Sequence, residues 1–317
     1  MKLYYDSSDV SFPAGTAVTI GAYDGVHIGH RYLISKTIEI SKEIGAESVV
    51  VTFDRHPAKV VRPESAPLLL SDLGQKLELL EETGVDAVCV IEFDSNRAME
   101  GPVEFVEKFL VGKLNVKYVV VGSDFHFGHN RQGNVDLLSE LGRSLNFEVF
   151  GAPLKTASEN QSENVSSTLI RRLVSSGDMD RAMQYLGRRF ELRGVVVPGD
   201  QRGSTELGFP TANVSFSDEM VTPPDGVYAG WVVFPDGSRF DSAISLGTRP
   251  TYYPHGGVRL LEAFILGFEG DLYQKTLRIV FGKKIRDQER FSTTGELQAK
   301  ISEDIKLVSS FCESNSL

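Results

Sequence analysis

The feature that most constrains the fold is a change of pattern partway along the chain. The first part alternates short β-rich runs with amphipathic stretches, which predicts an α/β, doubly wound parallel sheet covered by helices on both faces. Ligands of such sheets bind beyond the C-terminal strand ends. The predicted strands are 17–21, 48–53, 87–93, 118–122 and 148–150, and the predicted helices are 31–44, 72–82, 102–110 and 135–144.

The second part lacks this alternation. Strand candidates follow one another, separated by turns rich in Gly, Pro and Asp, at 191–197, 227–234, 241–246, 259–266 and 276–281. This spacing predicts a small antiparallel β-barrel, and apolar residues at helical spacing over 294–311 predict a C-terminal helix. Between the two parts we expect a polar, mobile loop at 157–164, a helix capped by residues 166–168 that runs through Ile170, Leu173 and Val174, and a second short helix at 179–186. We place the domains at 1–187 and 188–317.

Composition restricts the class of protein. Hydrophobic residues make up 41% and charged residues 24%, and the formal charge of −10 disfavours non-specific nucleic-acid binding. Two widely separated cysteines suit a reducing compartment and show no zinc-ligand spacing. The first residues lack a signal-peptide pattern, and no apolar run is long enough to span a bilayer. We therefore expect a soluble cytoplasmic protein with no membrane partner; a homo-oligomer is compatible with the sequence.

The run Gly21-Ala22-Tyr23-Asp24-Gly25-Val26-His27-Ile28-Gly29-His30 leads from the first predicted strand into a helix. A helix start offers unpaired N–H groups and a positive dipole end, which together bind phosphate. His27 and His30 face the same way on a helical turn, and Gly29 lets backbone approach a nucleotide. The sequence thus predicts a phosphate site. The alternative is a plain strand–helix turn with surface histidines.

This run resembles the nucleotidyltransferase superfamily, and nearly the whole chain resembles the bacterial bifunctional riboflavin kinase/FAD synthetases. Further motifs fall in family order: Thr52-Phe53-Asp54-Arg55-His56-Pro57, Val121-Gly122-Ser123-Asp124-Phe125-His126-Phe127-Gly128 and Val165-Ser166-Ser167-Thr168-Leu169-Ile170-Arg171. The resemblance implies that the first domain joins the AMP part of ATP to FMN, giving FAD and pyrophosphate. It implies catalytic roles for His27 and His30 and nucleotide binding by Gly21, Asp24, Gly29, Asp124, Phe127, Ser167, Thr168 and Arg171.

The chemistry of adenylyl transfer fits these residue types. A phosphate monoester loses its second proton at about pH 6, so FMN is already a nucleophile at neutral pH. The site then needs positioning and charge stabilisation more than a base, with Mg²⁺ bridging the phosphates. The Ser166-Ser167-Thr168 run also reads as a helix N-cap, and a capped helix start is itself an anion site.

The glycine-rich run from residue 199 to Asn213 is the most specific feature of the second part. Its glycines allow a loop to wrap over phosphates, and Thr211 and Asn213 offer oxygen ligands for Mg²⁺. With Gly226-Val227-Tyr228-Ala229, Ser245-Leu246-Gly247-Thr248-Arg249-Pro250-Thr251 and Gly270-Asp271-Leu272-Tyr273, it resembles riboflavin kinase. The resemblance implies that ATP and riboflavin are the substrates and that Gly203 and Pro210 bind nucleotide.

The same resemblance implies that Glu262 is the catalytic base and that Arg286 lies near the flavin. The terminal ribityl hydroxyl of riboflavin is a poor nucleophile while protonated, so this reaction benefits from a base. The alternatives are an outward-facing strand residue for Glu262 and a solvated turn residue for Arg286.

Several positions depart from the family pattern. Asn164 and His129-Asn130 stand where basic residues are frequent, and in the second domain Gln201, Phe264 and Gly267 also differ. These departures bear on nucleotide affinity and rate. Three other functions stay open at this point: a single active domain, a flavin-binding regulator without turnover, and, for the first domain, transfer to another phosphorylated vitamin.

Overall fold

The computed structural model describes residues 1–6, 9–153, 163–198, 211–247 and 259–315 of the 317-residue chain. They form two compact units, residues 1–167 and 168–317. The division predicted from sequence at 187/188 stays a prediction. Among the described residues, no helix is both long enough and apolar enough to cross a membrane.

The first unit is an α/β unit. Its strands are β1 (Lys2–Tyr5), β2 (Thr16–Ile20), β3 (Glu47–Phe53), β4 (Ala87–Ile91), β5 (Val116–Gly122), β6 (His126–Phe127), β7 (Gly133–Asn134) and β8 (Glu148–Ala152). Its helices are α1 (Ile28–Ile44), α2 (Ala58–Val61), α3 (Leu73–Glu81), α4 (Ser95–Ala98), α5 (Pro102–Glu104) and α6 (Val135–Leu145), with a π-helix over Phe105–Lys113 and 3₁₀ turns at Pro63–Ser65 and His129–Arg131.

Six strands form one sheet in the order β1-β4-β3-β2-β5-β8, and every neighbouring pair is parallel. Alternate strand residues feed two separate cores: Val49 and Val51 pack on one face, and Val50 packs on the other with Ile34 and Leu80. The predicted doubly wound fold is confirmed. The chain leaves β2 toward β3 and later returns on its other side as β5, so the loop after β2 lies at the switch point where such sheets bind ligands.

Several elements of this unit differ from the sequence prediction, and the short elements α2, α4, β6 and β7 were not predicted. Strand β1 was not predicted, because a four-residue edge strand that pairs only with β4 carries no long periodic pattern. The predicted helix 102–110 exists, but from Phe105 to Lys113 it is a π-helix, a rare form that the spacing of apolar residues does not distinguish from an α-helix.

The second unit contains α7 (Ser167–Ser176, whose first residue counts with the first unit), α8 (Met179–Leu186), six barrel strands and α9 (Thr294–Ser314). The strands are β9 (Glu191–Val197), β10 (Thr211–Ser215), β11 (Gly226–Val233), β12 (Arg239–Gly247), β13 (Leu260–Ile265) and β14 (Thr276–Arg286). They close in the antiparallel order β10-β13-β12-β11-β14-β9. The predicted barrel and terminal helix are confirmed. The sixth strand, β10, was missed because only Val214 in it is buried.

Gly230 lies where the barrel wall allows no side chain. A Cβ atom there would lie 2.1 Å from the Val280 carbonyl oxygen and 2.7 Å from the Ile244 side chain. We expect Gly230→Ala to lower the free energy of unfolding of this unit by about 2 kcal/mol, as overpacking does. Urea unfolding followed by the fluorescence of Trp231, the only tryptophan, measures it.

Gly295→Ala is the matched control, since nothing lies within 4 Å of a Cβ atom at that helical position. Equal unfolding midpoints for the two variants would show that the barrel absorbs the clash.

Candidate active sites

His27 is fixed by the start of helix α1. It is the N-cap residue, and its Nδ1 accepts the backbone N–H of His30 at 3.2 Å. An imidazole nitrogen that accepts carries no proton, so the neutral ring is protonated on Nε2. His27 is only 4% exposed. The local fold therefore supplies both a helix N-terminus and an imidazole N–H donor, the two features of an anion site.

His30 stacks on His27, with ring centroids 3.5 Å apart and planes 15° apart. Tyr23 packs edge-on against His30 at 4.9 Å, and its hydroxyl bonds Thr19 Oγ1 at 2.6 Å. Burial raises the pKa of Tyr23 far above its ordinary value, so this ring stays neutral. The structure thus brings the two predicted histidines together and packs the buried Tyr23 ring against His30.

Two of the three glycines in the run 21–30 make room for aromatic rings. A Cβ atom at Gly29 would lie 3.2 Å from the His27 ring, and one at Gly21 would lie 3.2 Å from the Tyr23 ring. For Gly29, this packing reason stands beside the close nucleotide approach expected from sequence.

Asp24 anchors the turn. Its carboxylate is 5% exposed and accepts the backbone N–H groups of Leu70 at 2.9 Å and Ser71 at 3.0 Å. The Ser71 hydroxyl in turn accepts the Gly25 N–H at 2.9 Å. Ser167 at the start of α7 donates to the Asp24 carbonyl at 3.0 Å. The geometry assigns Asp24 a loop-holding role; its predicted nucleotide contact stays a prediction.

The loops after β3 and β5 flank the β2 loop at the same sheet edge, because β3 and β5 are the neighbours of β2. Asp124 follows β5 and is exposed, whereas Phe127 is buried, stacked on Phe125 at 5.5 Å and close to Phe105 at 6.1 Å.

Nearby, the side chains of His129 and Asn130 are hydrogen-bonded to each other at 2.9 Å. These two residues, which depart from the family pattern, therefore make a local contact within their own turn.

Four predicted nucleotide-binding residues are not brought together by the described geometry. Thr168 and Arg171 lie on α7 in the second unit, and their predicted roles stay predictions. Gly203 and Pro210 lie outside the described residues, as do Gln201 and residues 157–162 of the predicted polar loop.

The predicted kinase residues form one row across the barrel wall. Asn213 of β10 is the register partner of Glu262 on β13, whose partner on β12 is Ser245. Thr211 is likewise opposite Phe264. Register partners have Cβ atoms about 5 Å apart and share a face. Buried residues alternate with Glu262 along β13, so its carboxylate lies on the outer, half-buried face beside both predicted metal ligands.

The row continues from Ser245 through Val227 to Arg286. Arg286 is not a solvated turn residue: it ends β14, is 13% exposed, and its guanidinium bonds both carboxylate oxygens of Asp304, itself 4% exposed, at 2.8–3.0 Å. Two residues on, the Gln288 amide donates to Ser245 Oγ at 3.2 Å and to the Leu246 carbonyl at 3.3 Å. Sequence reasoning missed Asp304, which no motif marks. Ser245 begins one of the quoted motifs, but its place beside Glu262 and Gln288 depends on strand register and could not be predicted.

Among the described residues, no group of three or more His, Cys, Asp or Glu side chains is arranged to hold a metal ion. Thr211 and Asn213 are not among these four residue types, so this finding does not bear on a metal site formed by their oxygens together with phosphate oxygens.

Residues 9–169 match the family model described as FAD synthetase, and residues 186–312 match that of riboflavin kinase. A relative from Pseudomonas fluorescens is 36% identical over 92% of this chain and 91% of its own length, and one from Escherichia coli K12 is 36% identical over 92% and 90%. Both are named bifunctional riboflavin kinase/FMN adenylyltransferase.

A crystal structure from Streptococcus pneumoniae, titled macrolide-efflux protein, has the same fold: the TM-score is 0.84 and the identity 26%, covering 98% of this chain and 99% of that one.

A parallel sheet whose first long helix is capped by a histidine, followed in the chain by a closed barrel, is with these matches the architecture of a two-site transferase that uses ATP. The chain belongs to the bifunctional riboflavin kinase/FMN adenylyltransferase family, and the two activities are those of its two matched regions. The resemblance stated from its motifs is confirmed.

The capping role of His27 predicts a stability difference between two variants. We expect His27→Ala to lower the free energy of unfolding by about 1 kcal/mol, because the N-cap acceptor is lost. His27→Asn should keep most of it, since asparagine caps helices well. Thermal unfolding followed by circular dichroism compares them. Equal losses would mean that ring packing, not capping, carries the contribution.

Proposed function

We propose that His27 and His30 carry adenylyl transfer in the first unit and that Glu262 carries riboflavin phosphorylation in the second. The reactions are riboflavin + ATP → FMN + ADP, then FMN + ATP → FAD + pyrophosphate. The observation that carries the first assignment is the His27 cap, which places a histidine ring and the N-terminus of helix α1 at the sheet's switch point.

In adenylyl transfer, an FMN phosphate oxygen attacks the α-phosphorus of ATP, and the bond to the β-phosphate oxygen breaks as pyrophosphate leaves. Negative charge builds on the α-phosphate oxygens and on the leaving group. Imidazole N–H donors and a helix N-terminus stabilise that charge without having to reorganise. No protein base is required, and none is proposed.

In the kinase reaction, the terminal ribityl hydroxyl attacks the γ-phosphorus and ADP leaves. Glu262 takes the hydroxyl proton as the new P–O bond forms. The outer-face position of Glu262, one strand from Asn213, supports this role, because a base must share its surface with the phosphate-binding groups.

Mg²⁺ is the metal that these residues fit. The Thr211 hydroxyl and Asn213 amide oxygen are hard oxygen donors, and a cation there would neutralise phosphate charge during transfer. A site with two neutral protein oxygens leaves the remaining positions to phosphates and water, as Mg²⁺ favours.

The remaining binding roles follow the same division. We assign Gly21, Gly29, Asp124, Phe127, Ser167, Thr168 and Arg171 to the ATP site of the first reaction, where Asp24 acts by holding the loop. We assign Gly203 and Pro210 to the ATP site of the second reaction. For Arg286 the bidentate bond to Asp304 supports an indirect role: it holds the segment carrying Gln288 beside Ser245, at the flavin end of the row.

We place both reactions in the cytoplasm, with small molecules as the partners and no nucleic acid. The formal charge of −10 and two buried free thiols support this placement. A homo-oligomer is compatible with it.

Two variants test the assignment of the sites. With riboflavin, ATP and Mg²⁺, we expect His30→Ala to stop at FMN, with adenylyl transfer lowered about 100-fold or more, because a donor to the developing charge is lost. Glu262→Gln should lower FMN formation about 100-fold or more and still convert supplied FMN. Chromatography of the flavins gives both rates. FMN formation is the control for His30→Ala, and conversion of supplied FMN is the control for Glu262→Gln.

A His30→Ala enzyme that makes FAD at the normal rate would move the adenylyl site elsewhere. A Glu262→Gln enzyme that makes FMN at the normal rate would show that Glu262 is not the base.

The metal assignment is tested with Asn213→Ala. We expect the Mg²⁺ concentration needed for half-maximal kinase rate to rise about tenfold, because one oxygen ligand is lost, while the Mg²⁺ dependence of adenylyl transfer stays unchanged. A parallel shift in both reactions would contradict a local ligand role.

A further inference from the structure

Lys76 is a buried cation behind the adenylyl site. It is 7% exposed and lies in the apolar stripe of helix α3, where Leu73, Leu77 and Leu80 supply the neighbouring positions. A charged residue in such a stripe departs from the amphipathic pattern. The burial therefore needs a reason beyond packing.

Its Nζ joins two strand ends. It donates to the carbonyl oxygen of Phe53, the last residue of β3, at 2.7 Å. It also donates to the carbonyl oxygen of Ala22, two residues beyond the end of β2, at 3.3 Å. The Ala22 carbonyl further accepts the Thr52 hydroxyl at 3.2 Å. One ammonium group thus ties the turn that leads to His27 to the end of the adjacent strand.

We propose that Lys76 is a positioning residue for adenylyl transfer: its ammonium group holds the 21–27 turn against the end of β3 and so sets the position of His27 and His30. This inference rests on the proposed use of those histidines. Lys76 touches no substrate in it; it acts through the Ala22 carbonyl.

The charge is held at a cost in stability. Burial lowers the pKa of Lys76 to about 8, against the opposing negative charges of Asp24 on the β2 turn and Asp54 after β3. Below about pH 8 the folded chain keeps the ammonium; as pH rises through that value the group becomes neutral, and a neutral amine is a weaker donor.

The free energy of unfolding rises as the ammonium group is lost, because the cost of burying its charge is then removed. An exposed lysine keeps its proton up to the ordinary pKa of 10.5, so between about pH 8 and 10.5 the unfolded chain binds more protons and the burial cost declines.

The test compares Lys76→Met with Lys42→Met, an exposed lysine near the end of helix α1. At pH 7 we expect Lys76→Met to lower kcat/KM of adenylyl transfer by roughly 10- to 100-fold, because a small displacement of the two histidines misplaces them relative to the reacting phosphates. Its melting temperature should not fall, because an apolar side chain replaces a buried charge. Riboflavin kinase activity of the same chain and both activities of Lys42→Met should stay normal.

The pH profile separates positioning from general structure. The ratio of wild-type to Lys76→Met kcat/KM should decline as pH rises through about 8, since both proteins then lack the charge. Lys76→Gln, a neutral donor, should show a smaller loss with no such dependence, and it decides the matter if the methionine variant does not fold.

Normal adenylyl transfer in either variant at pH 7 would overturn the proposal, as would a ratio that is flat across this range. His30→Ala keeps the two hypotheses apart: if that variant still makes FAD, the proposed site has failed, whatever Lys76 does.

Discussion

The first active site depends on a turn that the backbone does not adopt readily. Tyr23 and Val26 both have positive φ values, 49° and 38°, and for a β-branched residue such as Val26 this conformation is a genuine outlier. Strain of this kind costs about 1–3 kcal/mol per residue and persists only where surrounding contacts over-determine it. Here the hydrogen bonds of Asp24 to the backbone at residues 70–71, with the buried Tyr23 hydroxyl, supply them. As a result, helix α1 begins at Ile28, directly after the His27 side chain that caps it.

The barrel solves its positioning problem by register and not by strain. Antiparallel pairing places Asn213, Glu262 and Ser245 side by side without a special loop conformation. What must be held is the segment beyond β14, and a bidentate Arg286–Asp304 pair does that by joining it to the terminal helix. Breaking such a buried pair leaves an uncompensated charge, so the helix and the segment are coupled parts of one unit.

Periodicity was enough to predict the sheet, the barrel and most helices, because each buries a wide apolar face. It could not predict β1 or β10, because most of their residues are exposed or half exposed and show no regular buried face. The motifs located the histidine pair and Glu262. For Asp24 they gave a nucleotide-binding role and not the bonds to the backbone at residues 70–71, since in a sequence a carboxylate that binds backbone looks the same as one that binds a ligand. Lys76 did leave a signal, a charge within an apolar stripe, which gains meaning only once the strand ends above it are known.

The two sites differ because their nucleophiles differ. FMN arrives with a phosphate that is already ionised at neutral pH, so a base would add little and hydrogen-bond donors add much. Riboflavin arrives with a hydroxyl, which must lose a proton during transfer, and a carboxylate on the barrel wall meets that need. A histidine pair at a helix start and a glutamate beside two oxygen ligands are therefore the residue types that the two reactions require. A carboxylate aimed at the adenylyl site would repel both phosphate substrates, and the structure accordingly keeps Asp24 bound to backbone N–H groups.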